Sequence, residues 1–114
     1  MAKTPVEIRH DREARRVEAV LEDGRVAGFA AYRRRTDTIY SFTHTEVDDE
    51  FEGQGIGSQL ASGVIQTARD EGFKILPVCS FIRSYMREHD ETHDVLAPGG
   101  RLEEDAEQPA ATGG

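Results

Sequence analysis

Residues 52–58 read Glu-Gly-Gln-Gly-Ile-Gly-Ser, with a glycine at every second position just ahead of an apolar run of helical period. Glycines there let the chain curl until successive backbone N–H groups converge on one point. The helix that follows adds its unpaired first-turn N–H groups and the positive end of its dipole. Such a cradle holds a pyrophosphate without a basic side chain, which suits an acidic protein. The competing reading is a tight strand-to-helix connection that holds nothing. Two familiar phosphate loops do not fit. Counted from Gly53, the third glycine of G-x-G-x-x-G falls on Ser58; counted from Gly55, it falls on Leu60. The Gly-Lys-Ser/Thr of a Walker A loop is missing as well.

Three further places carry reactive side chains. His44 and Glu46 stand two apart in a β-rich segment and so share one face of a strand. Cys79 follows a short apolar strand and immediately precedes a helix, where the positive dipole end favours a thiolate. A lone cysteine is otherwise an inert buried hydrophobe, and both readings stay open. His89 and His93 have the spacing of zinc ligands, but Asp90 stands where a metalloprotease helix needs Glu. No third ligand is evident, so no metal is expected.

The elements that must position these residues follow from periodicity. Residues 6–10 alternate as a short strand. The runs 16–22 and 25–32 flank Asp23-Gly24, which predicts a hairpin with a type I′ turn and positive φ at both central residues. A competing reading takes residues 11–21 as a helix, since they include good helix formers. Residues 38–47 are dense in β-branched and aromatic types and read as a long strand. Ile56, Leu60, Val64 and Ala68 then recur at spacing four, with Ala61 and Ile65 beside them, until Gly72 ends the helix. Gly63 lies near the apolar edge, where a missing side chain permits close packing on a sheet. Residues 74–78 are a short buried strand. Residues 80–88 are a second helix, with Ser80 as N-cap and Phe81, Tyr85 and Ile82 facing inward. The order β-β-β-β-α-β-α gives an α+β fold: a mostly antiparallel twisted sheet with one right-handed β-α-β crossover.

Size and charge narrow the rest. The chain has 114 residues, enough for one small domain. Residues 97–114 are rich in Pro, Gly, Ala and acids, with Leu102 as their one large apolar residue. They are expected to form a solvated tail, leaving residues 1–96 as the domain. The net charge is −8, of which the tail supplies −3 and the body −5. An acidic chain offers nucleic acid a cationic face only locally, and the one basic run, Arg33-Arg34-Arg35, reads as a solvated strand end rather than a phosphate patch. No nucleic-acid partner is expected. No apolar run approaches a membrane span, and the first sixteen residues lack an apolar signal core. One cysteine excludes an intramolecular disulfide. The expected compartment is the cytoplasm.

Together, His44-Thr45-Glu46-Val47, the EGQGIG loop, and Pro77-Val78-Cys79-Ser80-Phe81 followed by Tyr85 resemble the GNAT superfamily of acetyl-CoA-dependent N-acetyltransferases. The family's phosphate loop is Q/R-x-x-G-x-G/A; residues 52–57 fit it except that Glu52 replaces Gln or Arg. The likeness is to the minimal branch of the superfamily and runs from about residue 6 to residue 96. It implies a sheet that splays between its fourth and fifth strands. Pantetheine would lie in that gap, bonded to backbone near Thr45 and Val47, with the pyrophosphate on Gly53, Gln54, Gly55, Ile56, Gly57 and Ser58. Minimal members lack the two helices that usually follow the first strand and help to wall the acceptor site. An open site follows, which points to a bulky acceptor such as a protein amine.

The resemblance also implies roles. Glu46 or His44 would take the proton of the attacking ammonium, directly or through water. Tyr85 would protonate the departing thiolate, although it also sits at core spacing. Cys79, beside the expected thioester, would form a covalent acetyl-cysteine, assist as a polar group, or simply pack. The expected activity is transfer of acetyl from acetyl-CoA to an amine acceptor, small molecule or protein. The alternative is a noncatalytic acyl-CoA-binding or protein-interaction module.

Overall fold

The computed structural model describes residues 4–102. Its elements are β1 (Glu7–Asp11), β2 (Arg16–Val20), β3 (Val26–Arg34), β4 (Ile39–Val47), a short 3-10 helix (Asp49–Phe51), α1 (Ile56–Glu71), β5 (Lys74–Pro77), α2 (Ser80–Glu88) and a second 3-10 helix (Asp90–Val95). The sheet order is β1-β2-β3-β4-β5, antiparallel up to β4 and parallel between β4 and β5. This is the expected α+β architecture. The helix considered for residues 11–21 does not form: the chain turns at Arg15, whose φ is 58°, and enters β2.

The hairpin between β2 and β3 differs from the expected type I′ turn. Its loop is three residues long, closed by Leu21 N–H to Arg25 O at 2.8 Å and Gly24 N–H to Leu21 O at 2.9 Å. Only Gly24 has positive φ, at 92°. With a third loop residue, Asp23 stays in an ordinary conformation and one glycine makes the left-handed step. Asp23 Oδ1 accepts the Arg25 N–H at 3.0 Å and Oδ2 accepts from Arg25 Nε at 2.9 Å. Those two bonds hold the Asp23 carboxyl below its ordinary pKa.

One side of the sheet carries the core. Leu60, Ala61, Val64, Ile65 and Ala68 of α1 lie on Val17, Ala19, Ala30, Tyr32 and Phe42, all buried. Gly63 gives α1 its close approach: a Cβ there would stand 2.5 Å from Ile8 Cγ1 on β1. Helix α2 turns Ile82 and Met86 inward, whereas Phe81, expected to face the core, is 40% exposed. The N-cap of α2 is Cys79 rather than Ser80, and it caps without a side-chain hydrogen bond.

The opposite side of the sheet carries neither α1 nor α2 and satisfies itself. Glu18 is 1% exposed there. Its Oε1 accepts from Arg9 Nη2 at 2.6 Å, and its Oε2 accepts from Arg16 Nε at 2.7 Å. The boundary expected at residue 96 moves. Ala97 is buried and donates its N–H to Ile75 O at 2.8 Å, and Leu102 packs on the core while its carbonyl accepts from Arg87 Nη1 at 2.6 Å. The free edge of β5 needs a backbone partner, and residues 95–97 supply it. The rest of the expected tail, residues 103–114, lies outside the described residues.

Gly63→Ala should destabilise the fold by about 1–3 kcal/mol, since Ile8 clashes through atoms close to its own backbone. Adding Ile8→Ala should recover part of that loss, because the two changes share one contact. Urea melts of the two single variants and the double variant check this; equal and additive losses would contradict it.

Candidate functional site

β5 leaves β4 early. Their register runs from Ile39↔Lys74 to Phe42↔Pro77, and the last bond across is Cys79 N–H to Phe42 O at 2.8 Å. β4 continues to Val47, paired with β3 alone. Residues 43–47 therefore present one backbone edge to an open wedge between the two strands.

A bulge sets what faces that wedge. Ala31 pairs with His44 but Tyr32 pairs with Phe42, so Thr43 is an extra residue in β4. Before it, Tyr40 and Phe42 face the helices; after it, Thr45 and Val47 do, opposite Ala30 and Gly28. His44 and Glu46 consequently face the other way, beside Phe29, with Nε2 of His44 3.6 Å from Oε2 of Glu46. Both side chains are exposed. They share a face as expected, but it is the face opposite Phe42, where unbroken alternation would have put them with it.

On the helix side of the wedge, the Cys79 thiol donates to Thr45 Oγ1 at 3.3 Å. Cys79 is half-buried against the core edge. Val78 and Phe81 flank it and are the exposed large apolar side chains among the described residues. Tyr85 lies one helical turn beyond Phe81, its ring stacked on His89 at 4.0 Å between centroids. It lines a hollow with Ser58, Gln59 and Ser62 of α1. Tyr85 thus shares the helix side with Cys79, away from His44 and Glu46. The histidine pair at 89 and 93 is spent on backbone: His89 Nδ1 lies 2.8 Å from Tyr85 O, and His93 Nε2 lies 2.9 Å from Met86 O.

The glycine loop enters α1 as the sequence suggests. Gly53 and Gly55 have φ of 80° and 78°, conformations that a side chain resists. Gly55 is the N-cap of α1, with no side-chain cap and no acid in the first turn. The first N–H groups of the helix are thereby left open to an anion. Gly57 serves differently: a Cβ there would meet Phe81 Cζ at 3.0 Å. Ile56 sends its side chain into the core, and Ser58 is exposed beside the helix start. Gln54 is tethered from behind. Its carbonyl accepts the Thr4 N–H at 3.0 Å, and its Oε1 accepts from the Thr4 hydroxyl. Gln54 thus offers the cradle backbone rather than side chain. Sequence reasoning placed Phe81 in the core and did not single out Phe29; in both cases an aromatic at strand or helix spacing reads as core.

A sheet opened at its one parallel joint, with an uncapped, glycine-entered helix start beside the opening, defines an acyltransferase-type α+β fold. Residues 16–95 match the family model described as GCN5-related N-acetyl-transferase, and the chain belongs to that family. It is similar to Protein NATD1 of Gallus gallus, 28% identical over 85 residues that cover 75% of this chain and 77% of that one. Protein NATD1 of Homo sapiens is also 28% identical, over 75% of each chain. Among solved structures, a GCN5-like protein from Staphylococcus aureus, described as a candidate N-acetyltransferase, superposes with a TM-score of 0.61 at 26% identity. It covers 82% of this chain and 90% of that one.

Because His44 and Glu46 are exposed and packed by little, His44→Gln and Glu46→Gln should each change stability by less than about 0.5 kcal/mol. Thermal melts of the two variants check this. A large loss in either would give the pair a structural role.

Proposed function

We propose that this chain transfers an acetyl group from acetyl-CoA to an amine. The observation that carries the reading is the coincidence of two openings: the uncapped start of α1 and the wedge between β4 and β5. The first suits a pyrophosphate held on the backbone of residues 53–58. The second suits an extended chain with amide groups, pairing with the free edge of β4 at Thr45 and Val47 and bringing its thioester beside Cys79.

The chemistry then divides between the two sides of the sheet. On the open side, Glu46 or His44 takes a proton from the acceptor ammonium, directly or through a water. The freed amine attacks the thioester carbonyl, a C–N bond forms, and the C–S bond breaks. The departing thiolate takes a proton from the Cys79 thiol, held by Thr45, or from the Tyr85 hydroxyl. In a relay, the Cys79 thiolate attacks first, CoA leaves, and the amine then receives the acetyl group from sulfur. With no helix covering that side, a protein amine fits as readily as a small one.

Acetyl-CoA at about 100 times its dissociation constant should stabilise the fold by about 2.7 kcal/mol, seen as a rise in melting temperature. Gly55→Val should weaken that binding far more than it weakens the fold. Supplying amines should release CoA. A relay predicts an acetyl adduct on Cys79 by intact-protein mass spectrometry and loss of turnover in Cys79→Ala with binding kept. Assistance or packing predicts no adduct and substantial residual turnover. Absence of any melting shift, with no binding by calorimetry, would defeat the proposal. Binding without CoA release under any amine would identify a noncatalytic acyl-CoA-binding module instead.

A further inference from the structure

Just ahead of β1, the backbone of residues 4–6 bonds to the glycine loop and to the first turn of α1. Thr4 N–H donates to Gln54 O at 3.0 Å, and the Thr4 hydroxyl donates to Gln54 Oε1. Thr4 O accepts from Gln59 Nε2 at 2.6 Å, and Val6 N–H donates to Gln59 Oε1 at 3.3 Å. Pro5, between them, has no N–H to place. Gln59 Nε2 also reaches Gly55 O at 3.4 Å, the same carbonyl that accepts the Gln59 N–H at 3.2 Å. One carboxamide thus joins the segment before β1 to the residue that caps α1.

The loop needs such a brace. A ligand held on backbone N–H groups costs the ordering of those residues unless they are ordered beforehand. Gly53 and Gly55, with φ of 80° and 78°, have no side chains to restrict them. Bonds within the loop are long: Gln54 N–H to Phe51 O at 3.3 Å, and Gln54 Nε2 to Glu50 O at 3.4 Å. The shorter ones come from outside, through Thr4. The segment that supplies them is itself fixed, because it runs into β1. There Ile8 stands over Gly63, and His10 lies 2.9 Å from Glu71 Oε2 and 2.6 Å from the Tyr32 hydroxyl. Helix α1 does not depend on Gln59 for its packing, since Ile56, Leu60 and Val64 are buried beneath it.

Resting on the acetyl-CoA reading, we propose that Gln59 is a positioning residue for the pyrophosphate. Through residues 4–6 it holds the backbone of Gln54 and Gly55 in the binding conformation before the ligand arrives. It touches no reacting atom, and the wedge between β4 and β5 is built without it.

Nitrogen relaxation of the ligand-free protein should give residues 53–57 order parameters of about 0.85, and Gln59→Leu should lower them to below about 0.6. The rest of α1 should stay rigid. By calorimetry, Gln59→Leu should raise the dissociation constant for CoA tenfold or more. Pantetheine, which lacks the pyrophosphate, should shift the amide resonances of Thr45 and Val47 with the same dissociation constant in both proteins. Thr4→Pro removes both bonds to Gln54 while leaving Gln59 in place, and should have the same effects. Combining it with Gln59→Leu should add little, because both changes release one strap. An unchanged CoA constant in both variants overturns the proposal. So does an equal loss for CoA and pantetheine, which would make Gln59 a structural residue only. If the wild-type protein binds neither CoA nor pantetheine, yet the loop loosens in both variants, the acetyl-CoA reading fails and the brace on the loop stands.

Discussion

The parting of β4 from β5 is the constraint on which the rest of this structure depends, and it begins at a proline. Pro77 is the last residue of β5 in register with β4, opposite Phe42. Its fixed φ suits a tight turn of the inverse γ type, which takes the next donor in the ladder, the Val78 N–H, out of line with β4. Val78 N–H turns back to Leu76 O at 3.0 Å, and Cys79 N–H makes the final bond to Phe42 O. β3 meanwhile stays paired with β4 as far as Val47. One strand leaves and the other does not. The wedge, the free edge of β4 and the placing of Cys79 against Thr45 all follow from that difference.

How far this was legible in the sequence depended on whether side chains or backbone carried the information. The spacing of Ile56, Leu60, Val64 and Ala68 fixes α1 and its buried face, and Gly72 ends it as a left-handed C-cap. The Asp23-Gly24 pair marks a turn but not its length, because Glu22 gives no sign that it belongs to the loop. The Thr43 bulge is invisible for a similar reason: threonine suits either face of a strand, so nothing marks the residue at which the phase changes. Ala97 is bound through its N–H to Ile75 O, and composition is silent about an edge strand's need for a partner. Phe81 misleads in the other direction. It has core chemistry and core spacing, yet its ring rests over Gly57, which leaves Ile82 and Met86 to fill the core.

The bulge has a chemical consequence that side-chain identity does not convey. Without Thr43, residues 44 and 46 would point into the helix layer and Thr45 would point out. With it, the thiol–hydroxyl pair of Cys79 and Thr45 lies on one side of the sheet, and the imidazole–carboxylate pair of His44 and Glu46 lies on the other. A single strand separates them, and the wedge beside that strand is the route between.

Amine acetylation makes opposite demands on the two ends of one reacting centre. The nitrogen arrives as an ammonium and must lose a proton; the sulfur leaves as a thiolate and gains one. If base and acid shared one pocket, they would pair with each other and neither would be free for the substrate. On the proposed reading, base and acid stand on the two faces of β4, Glu46 and His44 on one and Cys79 on the other, and so do not pair with each other. The outer face already satisfies its own charges through Arg9, Glu18 and Arg16 and keeps Phe29 half-covered beneath a guanidinium, so it can stand in water without a lid.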